Sequence, residues 1–101
     1  AAYWKYVVTR RLTGGPRGSF PLPGSDWFKR PVVTSERAWR EDVALLERMH
    51  ANLRRTIASL PASRLGRRGK RSRASAAFLI RGIAAHDLYH AGQIQLMKKL
   101  V

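Results

Sequence analysis

Apolar residues recur at alternating spacings of four and three over two long stretches of the chain, a pattern typical of helices packed at a shallow angle. In residues 35–60 this apolar seam comprises Trp39, Val43, Leu46, His50, Leu53, Ile57 and Leu60. In residues 75–100 it comprises Leu79, Ile83, His86, His90, Gln93, Met97 and Leu100. A shorter stretch, residues 1–13, places Trp4, Val7, Val8 and Leu12 on one helical face. Because no strand pattern or internal repeat occurs, we predict an all-α fold of three helices.

Residues that favour helix ends bound each of these segments. The Gly-Gly-Pro sequence at 14–16 stops the first helix. Thr34 or Ser35 can cap the second helix, which ends before Pro61. Ser75 can cap the third helix, which runs to the end of the chain.

Glycine and proline mark one long loop and two points of the third helix. Residues 14–34 hold four glycines and four prolines, so we predict a loop without regular structure. Its large apolar side chains, which we expect to fold over the end of a helical bundle, are Phe20, Leu22, Trp27 and Phe28. Gly82 and Gly92 interrupt the third helix, and we interpret them as points of close backbone approach.

The first residues have the composition of the middle of a helix rather than of its start. There is no initiator methionine and no capping residue, and aromatic side chains appear by position 3. Natural helices seldom begin so abruptly. We therefore interpret residues 1–101 as a single domain that is truncated at its N-terminal side.

The composition excludes several classes of protein. The chain has no cysteine, so neither a disulfide framework nor a thiolate metal site can form. Its apolar runs are too short to span a bilayer, and no signal-peptide pattern opens the sequence. We therefore expect a cytoplasmic protein that does not enter a membrane.

The charge is strongly positive and unevenly distributed. Twenty Lys and Arg residues oppose six acidic residues, for a net charge of +14. Six of the basic residues form one cluster, the basic loop: Arg64, Arg67, Arg68, Lys70, Arg71 and Arg73. The basic loop either is a solvated connection between helices or binds anions such as nucleic-acid phosphates. It contains no aromatic residue, so it cannot stack on bases.

His86 and His90 are one helical turn apart on the apolar seam of the third helix. Two adjacent seam histidines introduce several polar nitrogens that need partners, and neutral imidazoles at this spacing can coordinate one divalent cation. The string HDLYH also invites comparison with the HExxH zinc helix, with Asp87 in the place of the general base. That comparison fails because Asp is shorter than Glu and no metal-binding residue follows His90.

His50 lies on the seam of the preceding helix. If the second and third helices are antiparallel, His86 lies opposite about residue 49. His50 could therefore support the histidine pair from outside or stand in as a ligand. It could equally be a core histidine at another level of the bundle.

The final segment, GIAAHDLYHAGQIQLMKKL, resembles the last helix of the DinB-like superfamily, also called the YfiT-like metal-dependent hydrolases. The matching residues are His86, His90, Gly92, Gln93 and Ile94. The segments AYWKYVVTRRLTG and GSFPLPGSDWF, and the helix over 35–60, are also similar to members of this family. The resemblance therefore covers nearly the whole chain, and the basic loop is its clearest exception.

The resemblance implies an up-down four-helix bundle that holds nickel or zinc with three histidines. Two of these would be His86 and His90, with Gln93 and Asp87 as supporting side chains. The third histidine of the family precedes the aromatic stretch that matches Tyr3 and Trp4, so it is missing here, as is the first helix. The resemblance further implies a homodimer or higher oligomer, and a reaction on a small-molecule substrate or a thiol.

Three hypotheses follow from these residues. The first is a divalent-metal-binding DinB-like protein, either a metal-dependent hydrolase or a thiol-dependent transferase. The second is a basic helical module that binds nucleic acid, and the third is an inactive truncated remnant whose histidines only pack. We expect metal occupancy to be weak or absent. Any metal would be held by His86 and His90 together with water or an adventitious group.

Overall fold

Three α-helices form the described part of the chain, in a computed structural model that describes residues 1–15, 18–29, 34–66 and 74–101. They are α1 (Ala2–Thr13), α2 (Glu36–Ser59) and α3 (Ala76–Leu100). Two short 3-10 turns occur at Ser25–Trp27 and Ala62–Arg64, and these residues form no β-strand. The predicted all-α fold with helices near 1–13, 35–60 and 75–100 is confirmed.

The predicted helix ends rest on specific hydrogen bonds. Ser35 Oγ accepts a hydrogen bond from the Ala38 amide at 3.1 Å, so Ser35 rather than Thr34 caps α2. Ser75 Oγ accepts one from the Phe78 amide at 3.2 Å at the start of α3. At the end of α1, Gly14 adopts a left-handed conformation with φ of 71°, which glycine allows at no steric cost.

Helix α1 packs against both α2 and α3, and these two approach each other less closely. The core cluster of buried side chains comprises Val8, Leu12, Leu53, Ala76 and Ile83. Ile57, Leu60, Leu79 and Ile80 pack against it. The last part of α2 therefore meets the first part of α3 beside α1, as expected for two antiparallel helices.

The apolar seams are buried over only part of their length. On α2, Met49 and Leu53 are buried, whereas His50 is exposed, so our prediction of a buried seam through His50 was wrong. On α3, His86 and His90 are half-buried, and every residue from 91 onward is exposed. The core of this chain thus ends near the histidine pair.

The loop after α1 packs back on that helix through aromatic rings. The Phe20 ring lies 5.4 Å from the Tyr3 ring, 5.3 Å from the Tyr6 ring and 5.5 Å from the Phe28 ring. Trp27, by contrast, is 88% exposed. Phe20 thus packs on the aromatic start of α1 with Phe28 beside it, as expected, whereas the expectation that Trp27 folds over the bundle was wrong.

No helix in the described ranges is long and apolar enough to cross a membrane.

Candidate metal centre

The two histidines of α3 present nitrogen atoms to each other. His86 Nε2 lies 3.2 Å from His90 Nε2, and the two rings are nearly perpendicular with centroids 4.4 Å apart. This arrangement follows from the one-turn spacing on a single helical face. Two nitrogens bound at about 2.0–2.1 Å to one tetrahedral zinc ion lie roughly 3.3 Å apart. The separation of the Nε2 atoms therefore fits two positions around a single cation.

Gln93 fixes the tautomer of His90. The His90 Nδ1 atom lies 2.8 Å from Gln93 Oε1. An amide oxygen only accepts, so the hydrogen-bond network assigns the proton to Nδ1. The lone pair of His90 then resides on Nε2, the atom that faces His86. Orienting a histidine ligand through its other nitrogen is a recurrent feature of metal sites.

His86 carries an unsatisfied nitrogen. Because His90 Nε2 holds a lone pair, it accepts a hydrogen bond from the Nε2–H group of His86. The lone pair of His86 is then on Nδ1, which faces the interior. This Nδ1 atom is buried without a hydrogen-bond partner among the described residues. Burial lowers the pKa of His86 below 6.5, and the positive charges of His90 and the Ala1 amino group add to that effect. Asp87 and Asp26 act in the opposite direction. The lowered pKa favours the neutral imidazole, which is the form that binds metals.

An ion pair with a buried lysine and a partly exposed aspartate lies beside the histidines. Lys5 Nζ on α1 is 2.5 Å from Asp87 Oδ2 on α3, and the Lys5 side chain is 4% exposed. The pair joins the two helices next to His86. Because Asp87 is engaged by Lys5, its carboxylate holds α1 against α3.

Sequence reasoning missed Lys5. It lies four residues after Ala1, three before Val8 and seven before Leu12, which is the spacing of a seam position. The rule that singled out His86 and His90, a polar residue where an apolar one should pack, applies equally to Lys5.

His50 lies apart from this arrangement. It is on an exposed position of α2, and the hydrogen bonds within the described residues do not connect it to His86 or His90. Residues 1–15, 18–29, 34–66 and 74–101 contain no group of three or more His, Cys, Asp or Glu side chains suited to a metal ion. The structure thus brings together two nitrogen donors, and Gln93 orients one of them.

The basic loop falls mostly outside the described residues. Arg64 ends the short turn Ala62–Arg64 and is exposed. The other five predicted anion-binding residues, Arg67, Arg68, Lys70, Arg71 and Arg73, lie in the range that the structure does not describe.

Fold and site together define an all-α bundle protein with a histidine pair on its last helix. The sequence profile of the DinB superfamily matches residues 1–94, which include α1, α2, the histidine pair and Gln93. The chain belongs to the DinB superfamily. No curated protein and no solved structure matches it.

Proposed function

We propose that this DinB-superfamily protein binds a divalent cation, nickel or zinc, through Nε2 of His86 and Nε2 of His90. The observation that carries this proposal is the 3.2 Å approach of the two Nε2 atoms. Two polar nitrogens at that distance in a half-buried seam are better satisfied by a shared cation than by one weak hydrogen bond between neutral rings.

The surrounding side chains prepare the pair for this role. Gln93 orients His90 by accepting a hydrogen bond from its Nδ1–H group. Partial burial keeps His86 neutral. The Lys5–Asp87 ion pair holds α1 beside the segment that carries both histidines. When bound, the cation would supply Lewis acidity and lower the pKa of a water or thiol.

The reaction class that we propose is metal-dependent hydrolysis or transfer to a thiol, on a small-molecule substrate. It rests on family membership, since the pair alone does not select a substrate. Because only two nitrogens converge among the described residues, we expect water or an adventitious group to complete the coordination. The affinity should then be weak compared with a site of three protein ligands.

The test is calorimetric titration of tag-free protein with nickel and with zinc. We expect saturable uptake by the wild type and its loss in His86→Ala with His90→Ala, because both nitrogen donors are removed. His50→Ala is the matched control and should bind as the wild type does. Gln93→Ala should weaken binding by roughly tenfold, the lower end of the effect seen when a supporting partner is removed.

Two outcomes would contradict the proposal. Uptake that is unchanged in the double variant would place the cation elsewhere on the chain. Absence of uptake by folded wild type, checked by circular dichroism, would favour a remnant whose histidines only pack. A site with three protein nitrogens from one chain would instead refute the expected weak, water-completed coordination.

A further inference from the structure

A cavity lies on the side of α1 that faces α2, away from the histidine pair. It has a volume of about 420 Å³ and lies between α1, α2 and the loop residues that follow α1. Its lining includes Tyr6, Arg10, Ser19, Arg48, Met49 and Asn52. None of these belongs to the candidate metal centre. The volume is within the range of small-molecule sites, roughly 300–1,000 Å³.

Two arginines from different helices line this cavity without acidic partners. Neither the Arg10 nor the Arg48 side chain takes part in an ion pair with any described acidic residue, and no Asp or Glu is among the described lining residues. Two other arginines of α2 form ion pairs, Arg37 with Glu41 and Arg40 with Glu36, each at 3.1 Å. The cavity therefore concentrates positive charge that the fold does not neutralise.

The neighbouring polar groups complete a set of hydrogen-bond donors. Tyr6 Oη accepts hydrogen bonds from the Ser19 amide and from Ser19 Oγ, each at 3.1 Å, which leaves the phenol proton to donate to a ligand. Hydrogen bonds from Ser19 and the positive charge of Arg10 lower the pKa of Tyr6, although burial opposes them. Asn52 Oδ1 accepts a hydrogen bond from Arg55, and the amide protons of Asn52 can donate to a ligand.

One wall of the cavity is apolar. Met49 is 6% exposed and lines the cavity, as does Tyr6. A thioether and an aromatic ring next to guanidinium groups suit a ligand that has a charged end and an apolar body.

We propose that this cavity binds a small organic anion, whose carboxylate or phosphate group is held by Arg10 and Arg48 and whose apolar body contacts Met49. Guanidinium groups match the planar oxygens of both head groups through paired hydrogen bonds. The site is separate from the candidate metal centre and does not depend on it. The anionic head group could be the carboxylate of a carboxylic acid or the phosphate of a phosphate monoester.

The test uses benzoate and phenyl phosphate as probes, with benzyl alcohol as the neutral counterpart, in amide-detected NMR titrations of the wild type. We expect saturable shifts of the Tyr6, Ser19 and Asn52 amides with at least one of the anions and none with the alcohol. The anion that binds more tightly identifies the preferred head group. Arg10→Gln with Arg48→Gln should weaken binding by about tenfold or more, since each change removes a hydrogen bond to a charged group.

Arg11→Gln with Arg54→Gln is the matched control. It removes the same charge from exposed positions on the same two helices, outside the cavity lining. Binding within about twofold of the wild type is expected, because distant exposed charges are screened. Equal weakening in both double variants would show attraction to net charge alone and overturn the proposal. Absence of saturable shifts with both anions in the wild type would overturn it without reference to any variant.

Discussion

Three polar side chains occupy positions at which a helix faces its neighbours. Each needs a partner, because an unsatisfied buried polar group costs about 1–3 kcal/mol. Lys5 pairs with Asp87, and His90 donates to Gln93. His86 Nδ1 is the buried side-chain atom left without a partner in the described part of the chain. The unsatisfied atom thus belongs to one of the two proposed metal ligands.

The Lys5–Asp87 pair supports a prediction about stability. Asp87→Ala should lower the free energy of unfolding by about 2 kcal/mol, because it leaves a buried ammonium group without its partner. The value is below that of a fully buried pair because the Asp87 side chain is 41% exposed. Lys5→Met should cost less, since the apolar stem is kept and the remaining carboxylate reaches water. Urea unfolding measures both.

The exposed pair Arg37–Glu41 provides the comparison. Glu41→Ala should change the free energy of unfolding by about 0.5 kcal/mol or less, because both side chains are solvated. If Asp87→Ala were no more destabilising than Glu41→Ala, the pair beside the histidines would contribute nothing to the fold.

At the scale of elements, local chemistry made the helices predictable. The caps Ser35 and Ser75 and the breakers Gly14 and Pro61 act on the backbone within a few residues of themselves. The predicted segments 1–13, 35–60 and 75–100 accordingly agree with Ala2–Thr13, Glu36–Ser59 and Ala76–Leu100 within a residue or so at each end. The histidine pair was predictable for the same reason, since its geometry is fixed within one turn of one helix.

Which face of each helix is buried was less predictable, because it depends on what packs against it. The estimate that set His50 opposite His86 assumed that α2 and α3 stay in contact as far as that level, whereas they meet only between the last part of α2 and the first part of α3. Instead α1 packs against both, and the α2 side chain buried at that level is Met49. Gly82 and Gly92 likewise show no close approach, as no described atom outside their own helical backbone and chain neighbours lies within 4 Å of where a Cβ would be.

Two glycines should respond oppositely to alanine. Gly24 has φ of +104°, and a Cβ there would lie 2.8 Å from the Phe28 Cα atom. Gly24→Ala should therefore destabilise the protein by more than about 1 kcal/mol, through backbone strain and steric overlap. Gly82→Ala should stabilise it by up to about 1 kcal/mol, since the site is helical and open. Thermal and urea unfolding would test both signs, and a destabilising Gly82→Ala would contradict the open environment.

At the scale of the whole molecule, α3 carries an apolar face that this chain leaves uncovered. Phe78, Tyr89, Leu96 and Leu100 fall on one face at 3.6 residues per turn, and they are 68%, 64%, 59% and 76% exposed. Monomers seldom expose a continuous apolar stripe of this kind. The stripe continues past the histidine pair, so whatever covers it would also lie next to the proposed metal ligands.

We predict that the protein self-associates through this stripe, because burying apolar surface gains about 25 cal/mol per Å². Sedimentation velocity over a range of concentrations should show a dimer or larger species. Phe78→Glu with Leu96→Glu should shift it to monomer, because association would bury four unpaired carboxylates in a dimer. Ala51→Glu with Ala58→Glu adds the same charge at exposed positions of α2 and should leave association unchanged. A wild type that sediments as a monomer at every concentration would contradict the prediction. Equal dissociation by both pairs would mean that the added charge, rather than the loss of the stripe, separates the chains.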